Sequence, residues 1–208
     1  MNGGRRPAEL RQGTRVIARA LILLFGLSIS LNAMAEDFDD AQRASLANGD
    51  VVIEDVTNAE GISGLRAAFL LKARPEAIWN LLVDYKDFRE IFPNVEELWV
   101  LEQNEKGARV RYRIRAAWMT FLYTLQRDYE EPGRRLTWRR VDGDFKHITG
   151  QWSIRKWSDD EHQLVIYESF LDVGYQIPTA LVRSGAAKEI RNTVRLMRLR
   201  LERNRGAD

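Results

Sequence analysis

Residues 74 to 95, RPEAIWNLLVDYKDFREIFPNV, constrain the fold of this chain more than any other stretch. They read as two short helices bounded by prolines. Pro75 sits at a first helical turn, where its missing N–H costs nothing, and Pro93 stops the second segment. Ile78, Trp79, Leu81, Leu82 and Tyr85 cover one broad face of the first helix, and Phe88, Ile91 and Phe92 give the second its apolar side. A long run of strands follows, and then one long terminal helix. That order describes a curved sheet gripping a helix, so it points to a pocket before it points to any chemistry.

The strand pattern is read from a period of two. Val51 to Val56 and Leu65 to Leu71 make a hairpin across Asn58-Ala59-Glu60-Gly61. From Val95 to Val173 the strands run Leu98–Leu101, Ala108–Ala116, Thr120–Tyr129, Leu136–Val141, Phe145–Trp157 and His162–Val173, separated by short polar turns. Ala108 to Ala116 alternates cleanly, with Val110, Tyr112 and Ile114 on one face and Arg109, Arg111, Arg113 and Arg115 on the other. One side meets a core and the other meets water. The last helix is expected from Pro178 to about Arg203. Its residues Ile190, Val194, Met197 and Leu201 keep to one narrow stripe, extended by Ala186 and Ala187. The concave face of the sheet is the partner for that stripe. The expected class is α+β: a curved antiparallel sheet wrapped around a long C-terminal helix, with two short helices after the first strands.

Residues 1–35 read as a secretory signal peptide: five arginines, an apolar run from Ala20 to Leu31, and Ala33-Met34-Ala35 as the cleavage site. The run falls short of the roughly 20 residues that span a bilayer. Arg5-Arg6 hints at twin-arginine export, but Pro7-Ala8-Glu9 follows where such signals carry apolar residues. The expected organisation is leader 1–35, arm 36–47, ligand-binding domain 48–203 and tail 204–208, in a periplasmic protein. Cleavage changes the charge argument. The whole chain carries 32 basic and 30 acidic residues; without the leader's five arginines and Glu9, 27 face 29, a net charge of −2. A nucleic-acid partner loses its main support. With no cysteine, disulfides, thiol catalysis and zinc–thiolate sites are excluded together.

Pro75-Glu76-Ala77-Ile78-Trp79 with Asp84-Tyr85, Phe92-Pro93-Asn94-Val95, Gly150-Gln151-Trp152-Ser153-Ile154, and Asp172-Val173-Gly174 leading to Ile177-Pro178 carry a resemblance. In that order the chain resembles the START/Bet v 1-like (SRPBCC) helix-grip superfamily, and within it the polyketide cyclase/dehydrase and coenzyme Q-binding branch, over roughly residues 48 to 203. The resemblance implies a tunnel between sheet and helix for a lipid, sterol, quinone or polyketide. It implies no shared catalytic triad and no universal cofactor, so no catalytic residue and no cofactor are carried over.

The site is therefore read from side-chain chemistry. Tyr112, Trp118, Tyr123, Trp138, Trp152 and Tyr167 lie on expected strands; they either line a pocket, with polar tips for orientation, or form packed core. Gly150, two residues before Trp152, either bends the sheet or leaves room for a ligand. Ile190 belongs to the helix stripe that faces the same space. Arg183, seven residues before Ile190, falls about 20° from the stripe's centre, so it either points into the sheet to meet a polar head-group or snorkels to water. Glu168 and Asp172 lie near enough on the last strand to pair with it. Whether Tyr167 or Glu168 faces inward is open, because both faces of residues 164–171 carry apolar side chains. His147 and His162 form no ligand cluster. Eight basic residues between 181 and 208 suggest peripheral contact with anionic lipid, against an ordinary solvated face. The expected function is binding, and carriage, of a hydrophobic small molecule. The alternatives are a cyclase/dehydratase-type enzyme, which needs an inward Glu168, Asp172 or His147, and an accessory protein with a filled interior.

Overall fold

Short turns between alternating strands leave a sheet one layer thick, and the apolar parity of each strand decides which side the helices cover. The computed structural model describes residues 38–116, 119–174 and 179–206, with side chains of the last stretch from residue 184. The chain divides into units 1–40 and 41–208, and the sheet lies within the second. After a helix α1 (Asp40–Ala47), in the segment expected to be an arm, come β1 (Val52–Thr57) and β2 (Ser63–Leu71). The helices α2 (Pro75–Val83) and α3 (Phe88–Ile91) follow, then β3 (Val95–Asn104), β4 (Gly107–Ala116), β5 (Met119–Glu131), β6 (Arg135–Gly143), β7 (His147–Lys156), β8 (Gln163–Asp172) and α4 (Thr179–Arg205). Pro75 occupies the first turn of α2, as its fixed φ favours.

The eight strands form one antiparallel curved sheet in the order β1-β2-β8-β7-β6-β5-β4-β3. β8 returns to pair with β2 along Gly64↔Phe170 to Leu71↔Gln163, which brings the first hairpin beside the last strand. On the inner face, Val110, Tyr112, Phe121, Leu125, Leu136, Trp138, Ile148, Trp152, Ile154 and Val165 join Phe69 and Leu71 in one core. The stripe of α4, Ile190, Val194, Met197 and Leu201, is buried in the same core, and the helix packs on β2, α2 and α3. Each such side chain contributes roughly 1.5–3 kcal/mol by leaving water.

Polar side chains tie α4 down from its flanks. Arg200 reaches Asp87 at 2.5 Å and Glu90 at 2.7 Å, Arg203 reaches Glu90 at 3.0 Å, and Arg191 and Arg198 donate to the carbonyls of Val51 and Leu70. Much of the basic character of α4 therefore clamps the helix to its own domain.

Candidate functional site

The inner face of the sheet is an almost continuous wall of aromatic rings. Tyr112 stacks on Tyr123 (centroids 5.5 Å apart), Tyr123 meets Phe145 at 5.1 Å, and Phe88 stacks on Phe92 at 4.2 Å. Trp152 touches Tyr167 at 4.5 Å and stands edge-on to Phe69 and Phe92. Trp138 stacks on Tyr167 at 5.7 Å, although the strand β7 separates them. Gly150 explains that contact. It pairs with Trp138 on one side and Ser169 on the other, and a Cβ there would run into the Trp138 ring. The space left by the missing side chain holds the indole that crosses to Tyr167.

One charge interrupts the wall. Arg127 continues the inner parity of Phe121, Tyr123 and Leu125 on β5 and is only 3 % exposed. Its Nη1 donates to the hydroxyl of Tyr85 at 2.8 Å and to that of Tyr112 at 3.4 Å. The Tyr85 and Tyr129 hydroxyls lie 3.4 Å apart. The guanidinium also sits over the rings of Tyr85 at 5.2 Å and Phe88 at 5.6 Å, a cation–π arrangement. Among the described residues no carboxylate pairs with it. Asp128, its neighbour in sequence, turns to the other face and binds Arg139. Burial pushes the Tyr85 and Tyr112 phenols up, while the cation beside them works the other way. These phenols stay protonated near neutral pH. For Arg127 burial works against the charge and the hydrogen bond to Tyr85 works for it, and the guanidinium remains charged.

Tyr85 is also a wall of an open cleft of about 590 Å³, lined by Val83, Asp84, Lys86, Leu98, Val100 and Gln103. Leu98 and Val100 pair with Tyr112 and Val110 and so share the inner face. The cleft thus runs along the β3 edge of that face, with the Tyr85 ring between it and Arg127.

At the other side of the wall, Tyr167 and Ser169 are partly exposed. Burial raises the Tyr167 phenol, its hydrogen bond with Ser169 lowers it, and the nearby Glu189 of α4 raises it again. Glu189 is pushed up chiefly by burial, and its Oε1 is buried without a hydrogen-bond partner.

Of the residues expected at the site, Tyr112, Tyr123, Trp138, Gly150, Trp152 and Tyr167 come together on the inner face, with Ile190 buried in the core that α4 shares with it. Glu168 does not join them. It lies on the outer face, bound to Gln151 and 3.4 Å from Arg66, which in turn faces Glu54. Tyr167 is the inward residue of the pair. Asp172 is half-buried and held below the usual carboxylate range by the Gly174 N–H and Lys146, so it serves a loop. His147 lies near Glu60 and Thr149, away from the aromatic wall. Trp118 lies outside the described residues, as does the side chain of Arg183. Arg127, Tyr85, Tyr129 and Glu189 were not anticipated. The signal for Arg127 was present: it is the next residue of apolar parity after Leu125 on its strand.

The fold matches known structures at low identity. A START superfamily protein from Mycobacterium smegmatis aligns with a TM-score of 0.59 at 14% identity, covering 67% of this chain and 97% of that one. The Zhui aromatase/cyclase from Streptomyces sp. R1128 gives 0.58 at 18% identity, over 73% and 95%. A STAR-related lipid transfer protein from Xanthomonas axonopodis gives 0.56 at 19% identity, over 73% and 93%. At these identities the likeness is one of fold. No curated protein sequence matches the chain. The model of one family, described as polyketide cyclase/dehydrase and lipid transport, matches residues 71–198, more than half of the chain. The chain therefore belongs to the polyketide cyclase/dehydrase and lipid transport family.

Proposed function

We propose that this protein binds an apolar small molecule against the inner face of its sheet and carries it without a covalent step. The observation that supports this reading is the open cleft along the β3 edge of the aromatic wall. Rings from β4, β5, β6, β7 and β8 face one side, and a single buried guanidinium is the only cation set among them in the described residues. Apolar contact contributes roughly 25 cal/mol per Å² of surface removed from water, so one acyl, isoprenoid or polycyclic ligand is held by burial alone. The lipid-transfer and aromatase/cyclase proteins that share the fold make such a ligand reasonable here. We place the carrier in the periplasm, released by cleavage after Ala35. Any peripheral contact with anionic lipid falls to basic residues of α4 that do not clamp the domain, such as Lys188 and Arg195.

One observation favours an enzyme instead. Glu189 of α4 is a carboxyl raised by burial, with an oxygen buried and without a hydrogen-bond partner, near enough to Tyr167 to act on its phenol. The cyclase/dehydratase reading would rest on these two residues.

Native mass spectrometry of the protein purified from its own envelope fraction, followed by solvent extraction, tests the carrier reading. A stoichiometric lipid, quinone or polycyclic molecule supports it. An empty protein that takes up none of these when offered them would sink it. Terminal sequencing of the same sample tests the location, with Glu36 as the expected first residue.

A further inference from the structure

Arg127 is costly where it stands. A cation taken out of water is ordinarily matched by a buried anion, and the partners of Arg127 are neutral phenols and ring faces. Its hydrogen bonds use Nη1 only, so the Nε–Nη2 edge of the guanidinium has no acceptor among the described residues. That edge presents two parallel N–H donors, the geometry that receives a carboxylate bidentately. The hydroxyls of Tyr85, Tyr112 and Tyr129 converge beside the same guanidinium. Neutral phenols of this kind donate to an oxyanion as readily as they accept from a cation.

The surroundings also say where the rest of such a molecule goes. The Tyr85 ring lies against Arg127 and also lines the cleft of about 590 Å³, whose apolar wall is Val83, Leu98 and Val100. That volume lies within the range of small-molecule sites, about 300–1,000 Å³. Val100 is 41% exposed on this wall, an apolar surface without a cover among the described residues.

We propose that Arg127, with the hydroxyls of Tyr85, Tyr112 and Tyr129, is a carboxylate-recognising subsite, and that the ligand is an apolar acid whose body lies in the cleft between residues 83–86 and β3. This rests on the carrier reading above and narrows it, since a neutral sterol or a quinone without an acidic group would leave the cation unmatched. The Tyr85 ring turns aside when the acid enters, because it lines the cleft and lies against the guanidinium, while its hydroxyl stays on Nη1 and leaves the Nε–Nη2 edge to the carboxylate.

The test uses cis-parinaric acid and its methyl ester, which share one chain and one fluorescence signal and differ in charge. Both are titrated at pH 8 into the full-length protein and into the Arg127→Met and Arg127→Lys variants. The expected result is an acid at least about tenfold tighter than the ester in the unaltered protein, the scale of a charge-assisted pair. The preference should vanish in Arg127→Met while ester binding is retained, which also reports that the variant is folded. Arg127→Lys should keep part of it, having the charge without the fork. Equal affinity for acid and ester overturns the subsite and leaves the apolar carrier standing. An acid preference that survives in Arg127→Met overturns the assignment to Arg127. Failure of both probes to bind overturns the carrier reading as well.

Discussion

Arg127 on the inner face of β5 and the four arginines on the outer face of β4 lie on neighbouring strands in opposite surroundings. Arg109, Arg111, Arg113 and Arg115 are each at least 40% exposed, and they face Glu102, Asp142, Glu97 and Glu96 respectively. Exposed pairs of this kind contribute about 0–1 kcal/mol each, because water solvates both charges well before they meet. Arg127 has no such partner among the described residues and little water, so its charge is held by phenol dipoles and ring quadrupoles. The same side chain is a solubility device on one face and a desolvated cation on the other. The outer four can be exchanged at little cost, whereas the inner one is expensive to keep unless something binds it.

The largest break in this comparison comes at high pH. Burial holds the phenols of Tyr85, Tyr112, Tyr123 and Tyr167 above their ordinary value of 10.0. A group raised in the folded state contributes stability below its unfolded pKa and loses that contribution as pH rises through the folded one. Stability should therefore be insensitive to these phenols below pH 10 and fall steadily above it. Absorbance at 295 nm should show them ionising together with unfolding. Gradual phenolate formation in a folded protein would mean that the wall is wet.

Trp152→Ala comes next, with an expected loss of about 3–5 kcal/mol, since the indole bridges Phe69, Phe92 and Tyr167. Urea unfolding measures it, and a loss below about 1 kcal/mol would contradict the packing of the wall. Gly150→Ala should cost about 1–3 kcal/mol by overpacking against the Glu168 carbonyl and the Trp138 ring. The near-UV circular dichroism should change as Trp138 leaves Tyr167, and an unaltered spectrum with native stability would remove the explanation given for that glycine. Arg127→Met should leave stability equal or higher, because removing an unmatched buried charge offsets the lost hydrogen bonds. A drop of more than about 3 kcal/mol would make the arginine a structural keystone instead. The smallest effect belongs to Arg109→Met on the outer face, at most about 1 kcal/mol in the same urea titration.

Much of this arrangement is written locally in the chain. The alternation of β4 already separates Val110, Tyr112 and Ile114 from the arginines, and the spacing of Ile190, Val194, Met197 and Leu201 already makes a stripe. Pro75 and Pro93 mark the short helices. The inward set Tyr112, Tyr123, Trp138 and Trp152 was within reach of parity alone, and so was Arg127, whose charge hid the fact that it continues the series Phe121, Tyr123, Leu125. Parity was uninformative on β8. Leu164 and Ile166 on the outer face are as buried as Val165 on the inner one, so neither side of that strand reads as solvent-facing.

By itself the sequence determined the α+β order, the strand parities and the apolar stripe of the last helix, because each of these depends on residues a few positions apart. The tertiary structure alone decided that Tyr167 and not Glu168 looks inward, that Trp138 fills the gap at Gly150, and that Tyr85 meets Arg127 from 42 residues away. Such meetings depend on the register of strands and on where a helix lands on the sheet. They are consequences of burying all the faces at once, and no local run of residues carries them.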